Sequence, residues 1–208
     1  MTEYWESKFQ QEGALWKFEA ADSVRMASEL FQAENLNHLL IPGMGYGRNA
    51  KYFLDHHFEV PGIEISASAI GLARSNGLDC RIHHGSVTDM PFDDDQYDGI
   101  YCYALVHLLN KKERKKFLSS CYDQLKKNGL MIFVVATKKL SLFGSGKYLS
   151  KDRFLLPDGL AVFFYDDDSV SREFKDFGLM RFTDIEEPIK FAEGYDPMPL
   201  KFVVCRKN

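Results

Sequence analysis

The sequence predicts a doubly wound α/β fold, with a mostly parallel, seven-stranded sheet whose last strand is antiparallel. Short apolar runs that suit buried strands alternate with amphipathic, helix-like stretches along most of the chain. Strands that are separated by helices pair in parallel through right-handed crossovers. The length of 208 residues is that of one domain with a full-sized core, so we expect a single domain over residues 1–208.

The composition is that of an ordinary globular protein. Apolar residues make up 45% and charged residues 27% of the chain, which argues against a disordered, collagen-like or disulfide-scaffold protein. Lys and Arg number 26 against 30 Asp and Glu, so we expect no nucleic-acid partner. The sequence shows no signal peptide, no apolar run of about 18 residues and no closely spaced cysteines. We therefore expect a cytoplasmic protein with no membrane partner and no metal.

The first part of the chain is predicted to hold three helices and three strands. Asp22 is a suitable N-cap for a helix that carries Val24, Ala27 and Phe31 on one face. Ser66 caps another helix, which Asn76 and Gly77 end. The predicted elements are a helix from residue 22, strands over 39–41, 58–63 and 81–84, and helices over 48–57 and 66–75.

The second part continues the same alternation and then becomes less regular. Asn110 and Glu113 form a capping-box pattern for a helix that Asn128 and Gly129 end. The apolar run over 130–136 suits a strand that is covered on both faces. The other predicted elements are a strand over 99–103, a basic, glycine-containing loop over 138–151, a helix near 169–177, and strands near 179–185 and 200–206.

Three alternate glycines follow the first predicted strand. Gly43, Gly45 and Gly47 let the backbone approach a ligand closely, and the helix that begins at Arg48 offers free N–H groups to an anionic group. Glu64 ends the second strand and can accept hydrogen bonds from both hydroxyls of a ribose. Because small molecules bind at the carboxyl ends of the strands in such sheets, we predict a site for a nucleoside-containing cofactor.

The residue after the third glycine helps to choose between cofactors. A dinucleotide fingerprint needs a small residue at its last position, where this chain has the bulky Arg48. An NAD-dependent oxidoreductase is therefore the alternative rather than the first choice. A non-catalytic cofactor-binding module for a protein partner is a further alternative.

Four segments, in order, resemble the motifs of class I S-adenosylmethionine-dependent methyltransferases. Residues 45–50 are similar to G-x-G-R-N-A, residues 60–66 to V-x-G-[DE]-x-S, residues 85–92 followed by 97–98 to G-D-x-x-D-L-P-F and F-D, and residues 128–135 to the glycine turn and fifth strand. The resemblance covers about residues 38–136 and implies a Rossmann-like methyltransferase that uses S-adenosyl-L-methionine.

The resemblance also implies roles for individual residues. The glycines would contact the methionine part of the cofactor, Glu64 the ribose and Ile65 the adenine. The residues it assigns to cofactor binding are Gly43, Met44, Gly45, Gly47, Asn49, Glu64, Ile65, Ser86, Val87, Cys102 and Trp16. Two positions depart from the family pattern, because Ile41 and Ser86 stand where most members have an acidic residue. The acidic residue that Ile41 replaces is the one that contacts the amino group of the cofactor in the family.

A weaker similarity points to one branch of the family. Residues 40–43 resemble the V-P-G start of the thiopurine, thiol and halide methyltransferases, and Trp5 and Trp16 are similar to the tryptophans that precede it there and in tellurite-resistance methyltransferases. This similarity implies a small-molecule acceptor, with some preference for a thiol, chalcogen or other soft nucleophile. Residues 38–136 would then be the cofactor-binding core, and residues 1–37 and 138–168 would cover the acceptor.

The catalytic residues are not determined by these motifs. Methyl transfer needs an in-line arrangement, and a thiolate needs no base, whereas a hydroxyl acceptor would. His107 and Tyr103 are the candidate bases, and Tyr4, Trp5, Tyr103 and His107 are the candidate acceptor contacts. The loop over 138–151 is interpreted either as a lid or as a solvated connection. Replacing Glu64 with Ala is expected to weaken cofactor binding with little effect on stability.

Overall fold

The computed structural model describes residues 2–190 and 194–208, which form a layered arrangement of helices around one large sheet. The helices are α1 (Thr2–Glu12), α2 (Asp22–Ala33), α3 (Arg48–Asp55), α4 (Ala67–Ser75), α5 (Lys111–Gln124) and α6 (Asp167–Phe174). The strands are β1 (Leu39–Pro42), β2 (Gly62–Glu64), β3 (Ile82–His84), β4 (Tyr97–Tyr103), β5 (Leu125–Ala136), β6 (Lys147–Ser150), β7 (Arg153–Leu155), β8 (Ala161–Phe163), β9 (Leu179–Glu187) and β10 (Met198–Arg206).

The large sheet has seven strands in the order β3-β2-β1-β4-β5-β10-β9. The pairs from β3 to β5 are parallel, whereas β10 runs antiparallel to both β5 and β9. The predicted fold class is therefore confirmed, including the antiparallel last strand. The carboxyl ends of β1, β2, β4 and β5 meet at one edge of the sheet, which is where ligands bind in this type of fold.

Apolar side chains cover both faces of the sheet. On one face Val24, Ala27 and Phe31 of α2 pack with Leu39 and Ile41 of β1. On the other face Phe117, Leu118 and Cys121 of α5 pack with apolar residues of β4 and β5. The helical spacing of these side chains on α2 and α5 is the pattern that the sequence displays, because each helix buries one face on the sheet.

Three local predictions differ from the structure. The N-cap of α2 is Ala21 rather than Asp22, and its side chain makes no cap hydrogen bond. The carboxylate of Glu187 instead accepts hydrogen bonds from the N–H groups of Asp22 (2.6 Å) and Ser23 (3.1 Å). The cap therefore comes from a residue far along the chain, which no local pattern reveals.

The second difference is the end of α5. The helix ends at Gln124, before Asn128 and Gly129, because the buried Leu125 already pairs with Tyr97 of β4. The third difference lies in the predicted loop over 138–151, which contains β6. This strand pairs with β7, and β7 with β8, in a separate antiparallel three-stranded sheet. All four residues of β6 are exposed, so β6 lacks the alternation that predicts a strand.

Among residues 2–190 and 194–208, the helices are all too short or too polar to cross a lipid bilayer.

Candidate active site

A cavity of about 670 Å³ lies at the carboxyl ends of β1, β2, β4 and β5. This volume falls within the range of about 300–1,000 Å³ that is usual for ligand sites. Residues from the glycine loop, from the turns after β2, β3 and β4, from α1 and from the three-stranded sheet all line the cavity. It therefore brings together segments from the beginning, middle and later part of the chain.

The glycine loop is tied to the end of β2. The N–H groups of Gly43 and Met44 both donate to the carbonyl of Ile63, at 2.8 and 3.1 Å. Gly43 and Gly45 have φ angles of 66° and 58°, which favour glycine. A Cβ atom on Gly43 would lie 2.8 Å from Leu105, whereas a Cβ atom on Gly45 would come no nearer than 3.9 Å to another heavy atom, that of Phe9. The backbone at Gly45 therefore leaves room for a ligand.

Gly47 has a different role from the other two glycines. It is the N-cap of α3 with a φ angle of 81°, and a Cβ atom on it would lie 2.5 Å from Leu78. Gly47 is not among the residues that line the cavity. The predicted direct contact between Gly47 and the cofactor is therefore corrected: this glycine lets α3 pack closely against Leu78.

Glu64 is the buried acidic group of the cavity. Its Oε2 accepts a hydrogen bond from Gly45 N (2.7 Å), and its Oε1 accepts from Ile65 N (2.8 Å) and Ser66 N (2.9 Å). Burial raises the pKa of Glu64, although these three backbone N–H groups act in the opposite direction. A carboxylate has about four acceptor positions, so one remains for a ligand.

These bonds correct the expectation that Glu64 has little effect on stability. The carboxylate joins the glycine loop to the turn between β2 and α4, and its removal would leave three backbone N–H groups without their acceptor. Glu64 therefore has a structural role as well as a position in the cavity.

Several other predicted cofactor residues also line the cavity, namely Met44, Asn49, Ile65, Ser86, Val87 and Trp16. Ser86 caps a short 3₁₀ turn (Val87–Asp89) by accepting from Thr88 N. The Oδ1 of Asn49 accepts from Ala21 N at 3.1 Å, so this side chain also holds the segment before α2. Six predicted residues, from α3 and from four separate loops, thus surround one space.

Cys102 is not part of the cavity. It is fully buried in the core on the α5 face of β4, where burial raises the pKa of its thiol. Alternate strand residues face opposite sides, and Tyr103 is the β4 residue that lines the cavity. The predicted position of Cys102 beside the sulfonium is therefore corrected: β4 continues past it, and Ala104 and Leu105 occupy the edge.

The two candidate bases do line the cavity, but neither suits proton abstraction. Burial, with a smaller effect of Arg114, lowers the pKa of His107 to about 3, and its Nδ1 accepts a hydrogen bond from Ala136 N at 3.1 Å. Burial raises the pKa of Tyr103 to about 12. At neutral pH the imidazole is a very weak base and the phenol keeps its proton.

α1 covers one side of the cavity. Trp5, Phe9 and Trp16 line it and pack around Tyr46, whose hydroxyl donates to Lys17 O at 2.7 Å and accepts from Trp16 N at 2.8 Å. Glu6 fastens α1 to the start of α4, because its carboxylate accepts from the hydroxyls of Ser66 and Ser68, both at 2.6 Å. These hydrogen bonds lower the pKa of Glu6 to about 2. Glu6 was not predicted, since no motif contains it.

Tyr4 lies outside the cavity. Its hydroxyl donates to Asp158 Oδ2 at 3.1 Å, and Asp158 is a lining residue in the turn between β7 and β8. The predicted contact between Tyr4 and the acceptor is therefore corrected to a bond between the two covers of the cavity. Trp5, by contrast, lines the cavity, and its contact with the acceptor stays a prediction.

The three-stranded sheet covers the other side. Leu156, Val162 and Phe164 form an apolar cluster with Leu108 and Ala136, which lie at the carboxyl ends of β4 and β5. Trp5 packs against this cluster and also against the cluster around Tyr46. Sequence reasoning missed these aliphatic residues as lining residues, because they belong to a small sheet that it did not predict.

The chain is similar to known methyltransferases. A family model described as a methyltransferase domain matches residues 40–129. A glycine/sarcosine/dimethylglycine N-methyltransferase of Actinopolyspora halophila is 25% identical over 179 residues, which cover 77% of this chain and 30% of that protein. The tRNA N(3)-methylcytidine methyltransferase Mettl2 of Drosophila melanogaster is 24% identical over 143 residues, which cover 62% of this chain and 43% of that protein.

The chain thus spans less than half the length of these two curated relatives. Among solved structures, the 1,6-didemethyltoxoflavin-N1-methyltransferase of Burkholderia thailandensis superposes with a TM-score of 0.73 at 15% identity, over 100% of this chain and 87% of that one. The stretch matched by the family model contains the glycine loop, Glu64, Ser86 and β4.

Proposed function

We propose that this protein transfers a methyl group from S-adenosyl-L-methionine to a small molecule, with preference for a thiol, chalcogen or other soft nucleophile. The match of residues 40–129 to a methyltransferase domain supports this proposal. The family and fold predicted from the sequence are confirmed. The observation that carries the proposed activity is that the glycine loop and the buried Glu64 face one cavity.

The residues of the cavity fit the cofactor. The open backbone at Gly45 suits the methionine part, and the free acceptor position of Glu64 suits a ribose hydroxyl. Ile65, Ser86 and Val87 offer apolar and polar contacts to the adenine. When bound, the cofactor supplies an electrophilic methyl group on a sulfonium, and the chain binds, orients and excludes water.

The preference for a soft acceptor follows from the two candidate bases. His107 has a pKa of about 3 and Tyr103 of about 12, so neither removes a proton from a hydroxyl efficiently near neutral pH. A thiol needs no such base, because its ordinary pKa of about 8.5 leaves a few per cent of highly nucleophilic thiolate at neutral pH. The chain then only needs to align the thiolate with the methyl group.

The acceptor lies between the two covers of the cavity. Trp5 and Phe9 come from the segment 1–37, and Leu156, Val162 and Phe164 come from the segment 138–168. We therefore assign residues 38–136 to cofactor binding and the two outer segments to the acceptor. The net charge of −4 and the covered cavity favour a small molecule over an RNA, although one relative is named as a tRNA methyltransferase.

Two measurements test the proposed function. Calorimetric titration should detect binding of S-adenosylhomocysteine and none of NAD; the reverse result would contradict the cofactor. Methyl-labelled S-adenosylmethionine is then incubated with a thiol, a phenol and an amine that share one aryl group, and with tRNA. The thiol should be methylated fastest. Methylation of tRNA alone would show that the acceptor is not a small molecule.

A further inference from the structure

The acceptor end of the cavity has mostly apolar walls. Leu108, Ala136, Leu156, Val162 and Phe164 form one cluster there, with Trp5 packed against it. Four carboxylates line the cavity as a whole, those of Glu64, Glu113, Asp158 and Glu187, and carboxylates at neutral pH only accept hydrogen bonds. The body of a bound acceptor therefore contacts mainly hydrocarbon side chains.

His107 projects from the 3₁₀ turn Val106–Leu108 into this end of the cavity. Its Nδ1 accepts the N–H of Ala136, the last residue of β5, at 3.1 Å. A neutral imidazole whose Nδ1 accepts a hydrogen bond carries its proton on Nε2. Nε2 makes no hydrogen bond with the described residues, and it is not among their fully buried polar atoms without a partner.

Two arginines lie near His107, and neither of them lines the cavity. The Arg114 Nε is paired with Glu173, its Nη1 donates to Leu109 O at 3.1 Å, and its guanidinium lies 4.0 Å from the ring of Phe163. Arg153 Nη2 donates to Leu108 O at 3.4 Å, and its buried Nε has no hydrogen-bond partner among the described residues. The cations that do line the cavity, Arg48 and Lys190, are held by Glu19, Ala20 and Asp22 at 2.7–3.0 Å. The Nε2–H group of His107 can therefore donate a hydrogen bond to a ligand at the apolar end of the cavity.

We infer that His107 is a specificity-determining residue, which donates its Nε2–H to the acceptor, and that the acceptor has an apolar body with a hydrogen-bond-accepting atom at or beside the methylated centre. The inference rests on the proposed function. A thiolate sulfur meets both requirements, because a charged acceptor strengthens the bond from a neutral donor and the apolar walls leave it few competing partners. His107 takes no proton from the acceptor in this arrangement.

Two substitutions separate the two nitrogens of the ring. His107→Asn places an acceptor oxygen near the position of Nδ1, so it can keep the bond to Ala136 N while the donor in the cavity is lost. His107→Gln places a donor nitrogen near the position of Nε2. Both variants are first titrated with S-adenosylhomocysteine, whose affinity should stay within about twofold of the original protein because His107 lies at the acceptor end.

The readout is calorimetric binding of thiophenolate and of toluene to the protein saturated with S-adenosylhomocysteine, whose neutral thioether adds no charge at the position of the methyl group. Toluene has a similar shape but no hydrogen-bond acceptor. The original protein should bind thiophenolate about 10-fold or more tightly than toluene. His107→Asn should remove this difference, whereas His107→Gln should keep much of it, and toluene affinity should change little in either variant.

The outcomes also distinguish this inference from the proposed function. Failure to bind S-adenosylhomocysteine would overturn the proposed function. Normal S-adenosylhomocysteine binding with equal affinities for the two probes, or with no binding of either, would overturn the inference about His107. An equal loss of affinity for cofactor and both probes in His107→Asn would show that the residue is only structural.

Discussion

Removal of the Glu64 carboxylate should weaken both the fold and the cofactor site, by separable amounts. The carboxylate accepts three backbone hydrogen bonds, of 2.7, 2.8 and 2.9 Å. A hydrogen bond to a charged group contributes about 1.5–3 kcal/mol, but burial of the carboxylate, which raises its pKa, offsets part of that sum. We expect Glu64→Ala to lower the free energy of unfolding by about 2–4 kcal/mol.

Urea denaturation measures this loss, with Glu59→Ala as the control. Glu59 has a side chain that is 78% exposed and only a 3.9 Å contact with His38, so its removal should change stability by less than about 0.5 kcal/mol. If the free energy of unfolding of Glu64→Ala equals that of the original protein, the three backbone hydrogen bonds to Glu64 do not stabilise the fold.

The effect on the cofactor is measured by calorimetry with S-adenosylhomocysteine and its 2′,3′-dideoxy analogue. The original protein should bind the natural compound about 10- to 100-fold more tightly, because a ribose hydroxyl donates to the free acceptor position of Glu64. Glu64→Ala should bind the two compounds almost equally. If the variant still discriminates between them as the original protein does, the ribose lies elsewhere in the cavity.

Three further results are expected. Gly45→Ala and Gly77→Ala each place a methyl group at a positive φ angle, 58° and 75°, with no contact closer than 3.9 Å, so both should lose about 1 kcal/mol of stability. Only Gly45→Ala should lose affinity for S-adenosylhomocysteine in calorimetry. An equal loss of affinity in both variants would contradict the open site at Gly45. The pKa of Glu6 is lowered to about 2 from 4.5, so its contribution to the docking of α1 is complete above pH 4.5 and is lost as the pH falls toward 2; tryptophan fluorescence should report this transition, and Glu6→Gln should abolish it. Because His107 and Tyr103 do not titrate between about pH 5 and 9, the pH dependence of kcat/KM should follow the pKa of each thiol acceptor, and a limb common to all thiols would reveal an enzyme base.

Much of the cofactor half of the cavity could be predicted from local sequence. A glycine loop between a buried strand and a helix must lie at the carboxyl end of that strand, and the residue that ends the next parallel strand must lie beside it. Gly43, Gly45 and Glu64 therefore meet in the structure as their spacing predicts. The capping box of Asn110 and Glu113 is also present, because it depends only on residues three apart.

The acceptor half could not be predicted in this way. β6, β7 and β8 have three or four residues each, and Leu156 and Phe164 beside them pack against Leu108 and Ala136 at the ends of β4 and β5. Whether Cys102 or Tyr103 faces the cavity depends on the register of β4, because a shift of one residue exchanges the two faces of the strand.

The sequence by itself determined the fold class, the glycine loop, the acidic residue after β2 and the family that these features resemble. These rest on spacings within strand–loop–helix units and on the order of such units along the chain. Only the tertiary structure decided that Glu6 fastens α1 over the cavity, that Tyr4 joins the two covers, and that His107 presents a donor instead of a base. The last of these depends on Ala136, whose N–H occupies Nδ1. Contacts between residues so far apart in the chain arise from packing, and no local pattern encodes them.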